Sequence, residues 1–164
     1  FIGSTGFSQG SPFTSSSNVV HIGLGLGDPD TYAPNGSTPF IGVSYDRGIA
    51  DDLGVGNLGI GGMIGVKHFW DDNLDGNWQR ILIAGRGTYH FNFVNSYNFD
   101  FYVGGMVGFF LWSGETEVIG ENTNISSSFG AFAGIHYYFS DSFGIYGEAG
   151  YGLGFLNGGI AFNF

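Results

Sequence analysis

The amino-acid sequence predicts an all-β fold, an eight-stranded antiparallel up-and-down transmembrane β-barrel. Bulky apolar residues alternate with small or polar ones along almost the whole chain, which is the period of a strand and not of a helix. The alternating segments are roughly 9–14 residues long, and about 9–11 residues let a tilted strand cross a bilayer. No run of about 18 apolar residues exists, so no transmembrane helix is predicted.

The first four predicted strands place mainly aliphatic residues at every second position. They are 19–27 with Val20, Ile22, Leu24 and Leu26, 40–49 with Ile41, Val43 and Tyr45, 55–69 with Leu58, Ile60, Ile64 and Val66, and 78–91 with Ile81, Ile83, Tyr89 and Phe91. Turn-forming stretches, "DPDTYAPNGSTP", "ADD" and "DDNLDGN", separate them. The intervening positions are mostly glycine, small or charged residues, so each strand has one apolar face and one small, polar face.

The last four predicted strands are richer in aromatic residues. They are 99–112 with Phe99, Phe101, Val103, Val107, Phe109 and Leu111, 128–139 with Phe129, Ala131, Ala133, Ile135, Tyr137 and Phe139, 143–153 with Phe143, Ile145, Ala149, Tyr151 and Leu153, and 156–164 with Ile160, Phe162 and Phe164. The stretch "NFVNSYN" precedes them, and the loop 113–126 and the turn "SDS" lie between them. Long acidic connections thus alternate with shorter ones, as in outer-membrane barrels.

Side-chain volume predicts which face points into the barrel. Side chains just fill the interior of an eight-stranded barrel, so the glycine-rich, charged face fits inside and the bulky face fits lipid. Aromatic girdles are expected at both interfaces. Their predicted members are Phe69, Trp70, Trp78 and Trp112 at the outer side and Phe91, Phe99, Phe139 and Phe143 at the periplasmic side. A soluble β-sandwich or barrel with an aromatic core is the competing interpretation.

Composition excludes several classes of function. The formal net charge is −10, with four Lys plus Arg against fourteen Asp plus Glu, so no basic patch exists for nucleic acid. The chain has no cysteine, which excludes disulfides, thiolate chemistry and cysteine-based zinc sites. The first residue is Phe1 and no signal-peptide pattern follows it, so we expect a mature, exported chain whose signal peptide has been removed.

Three stretches resemble a known family. They are "PFIGVSYDRGIADDLGVGNLGIGGMIG", "RILIAGRGTYHF" and "FAGIHYYFSDSFGIYGEAGYGLGFLNGGIAFNF". They are similar to the small outer membrane beta-barrel, or porin family, proteins common in Bacteroidetes, and the resemblance covers residues 19–164. It implies location in the outer membrane of a Gram-negative cell. It also implies that the C-terminal residues form an insertion signal for the barrel-assembly machinery, with Asn157, Gly159, Phe162 and Phe164 as its members. Residues 1–18, which are rich in Gly, Ser and Thr, are predicted to be a flexible periplasmic extension.

A calcium site is suggested by the stretch "DDNLDGN". Asp71, Asn73 and Asp75 match the first half of an EF-hand loop, but the twelfth position is Leu82, where a bidentate glutamate is needed. We therefore favour a plain acidic hairpin loop, with a weak surface calcium site as the alternative. No cofactor is predicted.

A polar network is predicted in the lumen, because charged and polar aromatic residues fall on the inward faces. Its members are Asp46, Arg80, Arg86, Asp100, His136, Tyr146 and Glu148. Buried charges must pair to offset their desolvation, so we favour a structural network over a catalytic one. The best pairing is Arg86 with Glu148, which can meet only across the lumen because their strands are not neighbours.

No catalytic residue is predicted. A lipid A hydrolase or acyltransferase remains an alternative, with His68 as base, Asp71 or Asp72 as orienting acid and Ser113 as nucleophile near the outer rim. No motif fixes the geometry of these residues.

The preferred function is a structural or accessory interaction subunit of a larger outer-membrane transport, secretion or assembly complex. Glycines on the lipid-facing wall, such as Gly85, Gly87 and Gly105, would let a larger barrel or a periplasmic protein approach closely. The acidic loops 28–39, 71–77 and 113–126 would contact the exterior or the divalent cations that bridge lipopolysaccharide. A lone barrel with a narrow pore or a surface-binding role is the other possibility.

Overall fold

Nine β-strands make up the regular structure of the protein. The computed structural model describes residues 12–27, 36–71, 76–92, 96, 98–115, 122–151 and 153–164. The strands are β1 (Asn18–Leu26), β2 (Gly36–Ser37), β3 (Phe40–Ala50), β4 (Gly56–Asp71), β5 (Gly76–Phe91), β6 (Phe99–Glu115), β7 (Asn122–Ser140), β8 (Phe143–Gly150) and β9 (Leu156–Asn163). Within these residues no helix is long and apolar enough to span a membrane.

The eight long strands form one closed antiparallel barrel. Each pairs with its neighbours along the chain, and β1 closes the ring by pairing with both β3 and β9. Ile22, for example, lies between Val43 of β3 and Ile160 of β9. The two-residue β2 pairs only with the end of β4. The eight-stranded antiparallel barrel predicted from the sequence is therefore confirmed.

Apolar side chains cover the outside of this barrel. Val107 and Phe129 are 70% and 81% exposed, and the aliphatic residues of the other strands are exposed in the same alternating pattern. The inward positions between them hold small, polar and charged residues, together with a few apolar side chains such as Leu82 and Phe132. The orientation of the two faces follows the prediction from side-chain volume.

The strands extend further than the sequence predicts at one end of the barrel. The stretch 113–126 was expected to be a loop, but β6 continues to Glu115 and β7 begins at Asn122. Polar residues such as Asn124 and Ser126 pair with β6 there although they carry no apolar alternation. Backbone hydrogen bonds between neighbouring strands do not depend on that alternation, which is why the sequence pattern ended too early.

Leu153 corrects the predicted end of β8. The sequence placed it on the lipid-facing side of a strand reaching residue 153, whereas the strand ends at Gly150. Gly150 has a φ of 141°, a conformation that favours glycine, and the alternation of faces is lost after it. Leu153 is only 3% exposed and packs into the barrel core beside Phe40 and Met63.

The aromatic girdles are also partly corrected. Phe69 and Trp112, both expected at the outer interface, point inward: Phe69 is 7% exposed, its ring stacks on Trp112 at 5.8 Å, and Trp112 pairs with the buried Arg80. Trp78, the third such residue, pairs with Phe69 on the same inward face. Trp70 is the exposed aromatic residue at this end. At the opposite end the predicted belt is present, because Phe139 stacks on Phe143 at 5.9 Å and Phe143 lies 5.3 Å from Phe162.

The segment before β1 folds back under the barrel. Residues 12–17, assigned from the sequence to a flexible extension, hold a defined position here, and residues 1–11 lie outside the described part of the chain. Phe13 is fully buried, and its ring stacks on His90 at 3.6 Å. The side-chain amide of Asn57 donates to the Phe13 backbone carbonyl at 2.5 Å. The backbone amide of Ser15 donates to Asp51 Oδ1 at 2.6 Å. Phe13 thus closes the end of the lumen where the C-terminal Phe164 lies.

Candidate functional site

The seven residues predicted for the lumen all lie inside the barrel. They come from five strands, and each sits at an inward position between two outward-facing neighbours. All are buried: Asp46, Arg80, Arg86, Asp100, His136, Tyr146 and Glu148. The strand alternation therefore brings together groups that are far apart in the sequence.

Arg86 of β5 stands at the centre of the lumen. Its Nη2 donates to Glu148 Oε1 across the barrel at 2.6 Å, which confirms the pairing predicted from the sequence. Its Nε lies 3.1 Å from Asp46 Oδ1, so one guanidinium contacts two carboxylates. The Tyr102 hydroxyl also donates to Glu148 Oε1, at 2.9 Å. These contacts offset the cost of burying three charges.

A second group of polar residues lies between Arg86 and the Phe13 end. Asp100 Oδ2 is 2.8 Å from His90 Nδ1 and 2.9 Å from His136 Nδ1. His136 Nε2 is 2.6 Å from His21 Nε2. Three of the four histidines of the chain therefore meet in one buried cluster around Asp100, and His21 Nδ1 also lies 3.9 Å from Asp46 Oδ2.

Hydrogen-bond directions in this cluster form one consistent chain. His90 Nδ1–H and His136 Nδ1–H donate to Asp100, and His21 Nε2–H then donates to His136 Nε2. The Ser44 hydroxyl, 3.0 Å from His21 Nδ1, donates to that nitrogen and accepts from Arg86 Nη1 at 3.3 Å. His90 Nε2 lies 3.0 Å from Thr88 Oγ1, so every ring nitrogen of the three histidines has a hydrogen-bond partner in this assignment of tautomers.

His21, His90 and Tyr102 were missing from the predicted network. The sequence does contain a signal for them, because each occupies an inward position between two outward apolar residues, such as Tyr89 and Phe91 around His90. Their ring contacts bind the network together: Tyr102 stacks on His136 at 4.7 Å and Tyr146 lies 4.8 Å from His21.

Arg80 lies nearer the other end of the lumen, among aromatic rings. Its guanidinium carbon is 4.6 Å from the Phe110 centroid and 4.9 Å from both Phe40 and Trp112. Lys67 Nζ lies 5.0 Å from the Phe69 centroid. Cation–π contacts of this kind stabilise desolvated cations by about 2 kcal/mol. Three of the four basic side chains of the protein are thus buried in the lumen.

The predicted rim residues are not brought together as a catalytic group. His68 of β4 pairs with Gln79 of β5, which pairs with Ser113 of β6, so His68 and Ser113 are two strands apart. Two strand spacings amount to roughly 10 Å, well beyond hydrogen-bond reach. Asp72, Asn73 and Asp75 lie outside the described residues, as does the side chain of Asp71.

The residues predicted as an insertion signal divide between the two faces of β9. Asn157 is buried in the lumen and Gly159 is partly buried, whereas Phe162 is exposed on the outside. Phe164 is 73% exposed, and its amide donates to the Asn18 carbonyl at 3.0 Å. The C-terminal strand therefore presents its aromatic residues outward while it closes the barrel against β1.

The outer wall carries a groove floored by glycine. Gly62 pairs with Gly85, and Gly87 pairs with Gly105, across β4, β5 and β6. The exposed side chains of Ile60 and Val107 border the groove, whose volume is about 540 Å³. A Cβ built on Gly85 meets no heavy atom nearer than 3.9 Å, so the groove has room for larger side chains.

Solved structures share this architecture. No protein-family model matches the chain, and no curated protein matches it. The N-terminal β-barrel domain of Pseudomonas aeruginosa OprF is 18% identical, with a TM-score of 0.54 over 92% of this chain and 98% of that one. The chain has the fold of eight-stranded outer-membrane barrels. Ail, the attachment invasion locus protein of Yersinia pestis, solved with the heparin analogue sucrose octasulfate, is 14% identical, with a TM-score of 0.56 over 90% of this chain and 97% of that one.

Proposed function

We propose that this protein is an integral outer-membrane barrel that acts as a structural or accessory interaction subunit of a larger transport, secretion or assembly complex. The observation that carries the proposal is the distribution of side chains: the exposed wall is apolar, while three of the four basic residues are buried inside. In water this arrangement would expose a large apolar surface and desolvate the charges needed for solubility. In a bilayer the same wall is solvated by lipid.

The filled lumen favours an interaction role over a pore. Phe13 closes one end, Arg86 spans the middle through two carboxylates, and Leu153 packs near the other end. An eight-stranded barrel whose interior is occupied in this way has no room for a continuous water column. Its contribution to a complex then comes from its outer wall and its loops.

The glycine groove is the part of the wall best suited to a partner barrel. Small residues let two membrane-embedded surfaces approach closely, and lipid chains fill such a groove less well than fitted side chains do. Gly85, Gly87 and Gly105 lie side by side on two strands, with Val107 projecting beside them. We propose a larger outer-membrane barrel as the occupant of this groove.

The acidic exterior supports contact with lipopolysaccharide through divalent cations. Because Lys67, Arg80 and Arg86 are buried, Arg47 is the one basic side chain outside the lumen, against an excess of Asp and Glu. Ail was crystallised with a polyanionic sugar. The charge of the present chain opposes binding of such a polyanion, so we do not propose that activity here.

Isolation from native membranes tests the accessory role. The wild-type protein, expressed at its natural level, is expected to co-migrate with a larger barrel protein on a native gel after mild detergent extraction. Gly85→Leu fills the groove and is expected to abolish this co-migration. Gly158→Leu makes the same change on β9, on the opposite wall, where a Cβ has 3.4 Å of clearance, and should leave the complex intact. Monomeric migration of the wild type, or a complex indifferent to Gly85→Leu, would refute the proposal.

A further inference from the structure

A buried cluster of His90, Asp100 and His136 has the composition of a metal site. The ligand atoms of the three residues lie within 4.8 Å of one another, and all three side chains are fully buried. We propose that the barrel lumen binds one divalent transition-metal ion, with Zn²⁺ as the probe ion, through His90 Nδ1, His136 Nδ1 and Asp100. This site does not depend on the accessory role proposed above.

Charge balance is the first argument. Glu148 and Asp46 are both held by the Arg86 guanidinium. Asp100, by contrast, is buried against two histidines as its only ion-pair neighbours within the described part of the chain. Burying a carboxylate is costly unless positive charge compensates it, and a divalent cation held between the two imidazoles would supply that charge without requiring either ring to be protonated.

An unused ligand atom is the second argument. Asp100 Oδ2 accepts from both histidines, but Asp100 Oδ1 is buried with no hydrogen-bond partner among the described residues. Buried carboxylate oxygens are nearly always satisfied, so an empty one marks a position for a ligand. Oδ1 is available to complete a four-coordinate site made by two imidazoles and a bidentate carboxylate.

The required geometry is close to the one present. Zn–N and Zn–O bonds of about 2.1 Å place tetrahedral ligands about 3.4 Å apart. The two nitrogen–oxygen distances are now 2.8 and 2.9 Å, about 0.5 Å short of this separation, and the ligand atoms lie within 4.8 Å of one another, so a bound ion would move the carboxylate back and draw the two imidazoles together. Imidazole nitrogen with carboxylate oxygen is a donor set that suits Zn²⁺, Ni²⁺ and Cu²⁺.

The surrounding residues already provide a second shell. A ligating histidine usually donates its other N–H to a neighbouring acceptor. His90 Nε2 lies 3.0 Å from Thr88 Oγ1, and His136 Nε2 lies 2.6 Å from His21 Nε2. When a metal takes the two Nδ1 atoms, each imidazole stays neutral with its proton on Nε2. His21 would then donate from Nδ1 to Ser44, so the hydrogen bonds on the Nε2 side would reverse without loss, and metal–ligand bonds would replace the two hydrogen bonds to Asp100.

The position of Phe13 indicates the route by which an ion would reach the site. Its ring lies 3.6 Å from the His90 ring and covers the cluster from the end of the lumen where Phe164 lies. Residues 12–17 are held there by a few hydrogen bonds, among them the Ser15 amide to Asp51. Opening of this segment would expose the site, so exchange of the ion depends on Phe13.

Metal content after folding tests the proposal. The full-length protein is folded in detergent micelles with Zn²⁺, passed through a desalting column containing EDTA, and assayed for zinc by elemental analysis. We expect one zinc ion per chain in the wild type. We expect the same in His68→Ala, which removes the one histidine outside the cluster, and less than a tenth of it in Asp100→Asn and His136→Gln. A metal-free wild type, or zinc lost in His68→Ala, would overturn the site.

A second measurement leaves the ligands intact, in case a cluster variant does not fold. Phe13→Ala is expected to bind zinc but to release it to EDTA at least tenfold faster than the wild type, because the covering ring is gone. Ser15→Ala removes the hydrogen bond from the Ser15 hydroxyl to Asp51 Oδ2, which weakens the same segment without touching the cluster, and should give a smaller acceleration. Equal release rates in all three proteins would place the zinc elsewhere and would contradict the proposal.

Discussion

Arg86 is the residue on which the electrostatics of the lumen depend. One guanidinium contacts Asp46 on one side and Glu148 on the other. The pairing with Glu148 could be predicted from the sequence, because both residues lie near the middle of their strands on inward positions. The pairing with Asp46 could not be preferred over pairings of Arg86 with other inward carboxylates. Alternation determines the face on which a residue lies but not the rotamer of its side chain.

Replacing Arg86 tests this role. Arg86→Met keeps much of the side-chain volume but leaves two buried carboxylates without a cation, and we expect a loss of about 3–5 kcal/mol in the free energy of unfolding. The measurement is a denaturant titration of the folded protein in micelles. Arg47→Met, an exposed site on β3, should change stability by less than about 0.5 kcal/mol. Equal losses in the two variants would contradict the assignment.

Inward glycines make room for the large side chains of the network. A Cβ on Gly134 would lie 2.4 Å from the Tyr102 ring, whose hydroxyl donates to Glu148. We expect Gly134→Ala to cost about 1–3 kcal/mol, because overpacking forces neighbouring side chains to move. Gly85→Ala faces open space on the outer wall and serves as the control in the same unfolding titration. A neutral Gly134→Ala would mean that Tyr102 is not fixed where it lies.

At the scale of elements, alternation predicted the strands well and their ends poorly. Which face of each strand points inward follows from residue type alone. Leu153 and Phe69 were misplaced because apolar residues are also needed inside the lumen, where they close one end of it. The segment 12–17 carries no alternation, so nothing in the sequence indicated that Phe13 would enter the barrel.

Removing the Phe13 ring tests whether this segment is part of the folded barrel. We expect Phe13→Ala to lower the free energy of unfolding by about 3 kcal/mol, at the low end for buried Phe→Ala changes because the segment can detach. Phe164→Ala removes a ring that is 73% exposed and is expected to have little effect in the same titration. No difference between the two variants would indicate that residues 12–17 do not hold their position in solution.

The C-terminal strand gives a prediction about assembly rather than stability. Phe162 on β9 and Phe164 directly after it are exposed, and the resemblance to small outer-membrane barrels implies that they are read during insertion. We expect Phe164→Ala to reduce severalfold the amount of barrel assembled in the outer membrane, measured by fractionating cells shortly after induction. Ile22→Ala changes an outward residue of β1 that pairs with Ile160 of β9, and it controls for the loss of apolar surface area. Undiminished assembly of Phe164→Ala would refute the insertion signal.

At the scale of the whole molecule the protein is inverted, with apolar side chains on the outside and paired charges inside. Strand number, closure and the orientation of both faces were predictable, since they follow from length, alternation and volume. The histidine cluster was only partly predictable, because three strands had to be placed in register before His21, His90 and His136 could be seen to meet.

Solvent accessibility along β6 tests this claim most directly. The chain has no cysteine, so single cysteines at Val103, Gly105, Val107 and Phe109 can carry nitroxide labels in liposomes without background. A label at Ser142, in the turn after β7, serves as the aqueous reference. We predict that the β6 labels collide with lipid-soluble oxygen and are shielded from a water-soluble nickel chelate, with Ser142 showing the reverse. Nickel accessibility at Val107 equal to that at Ser142 would contradict a membrane-spanning barrel.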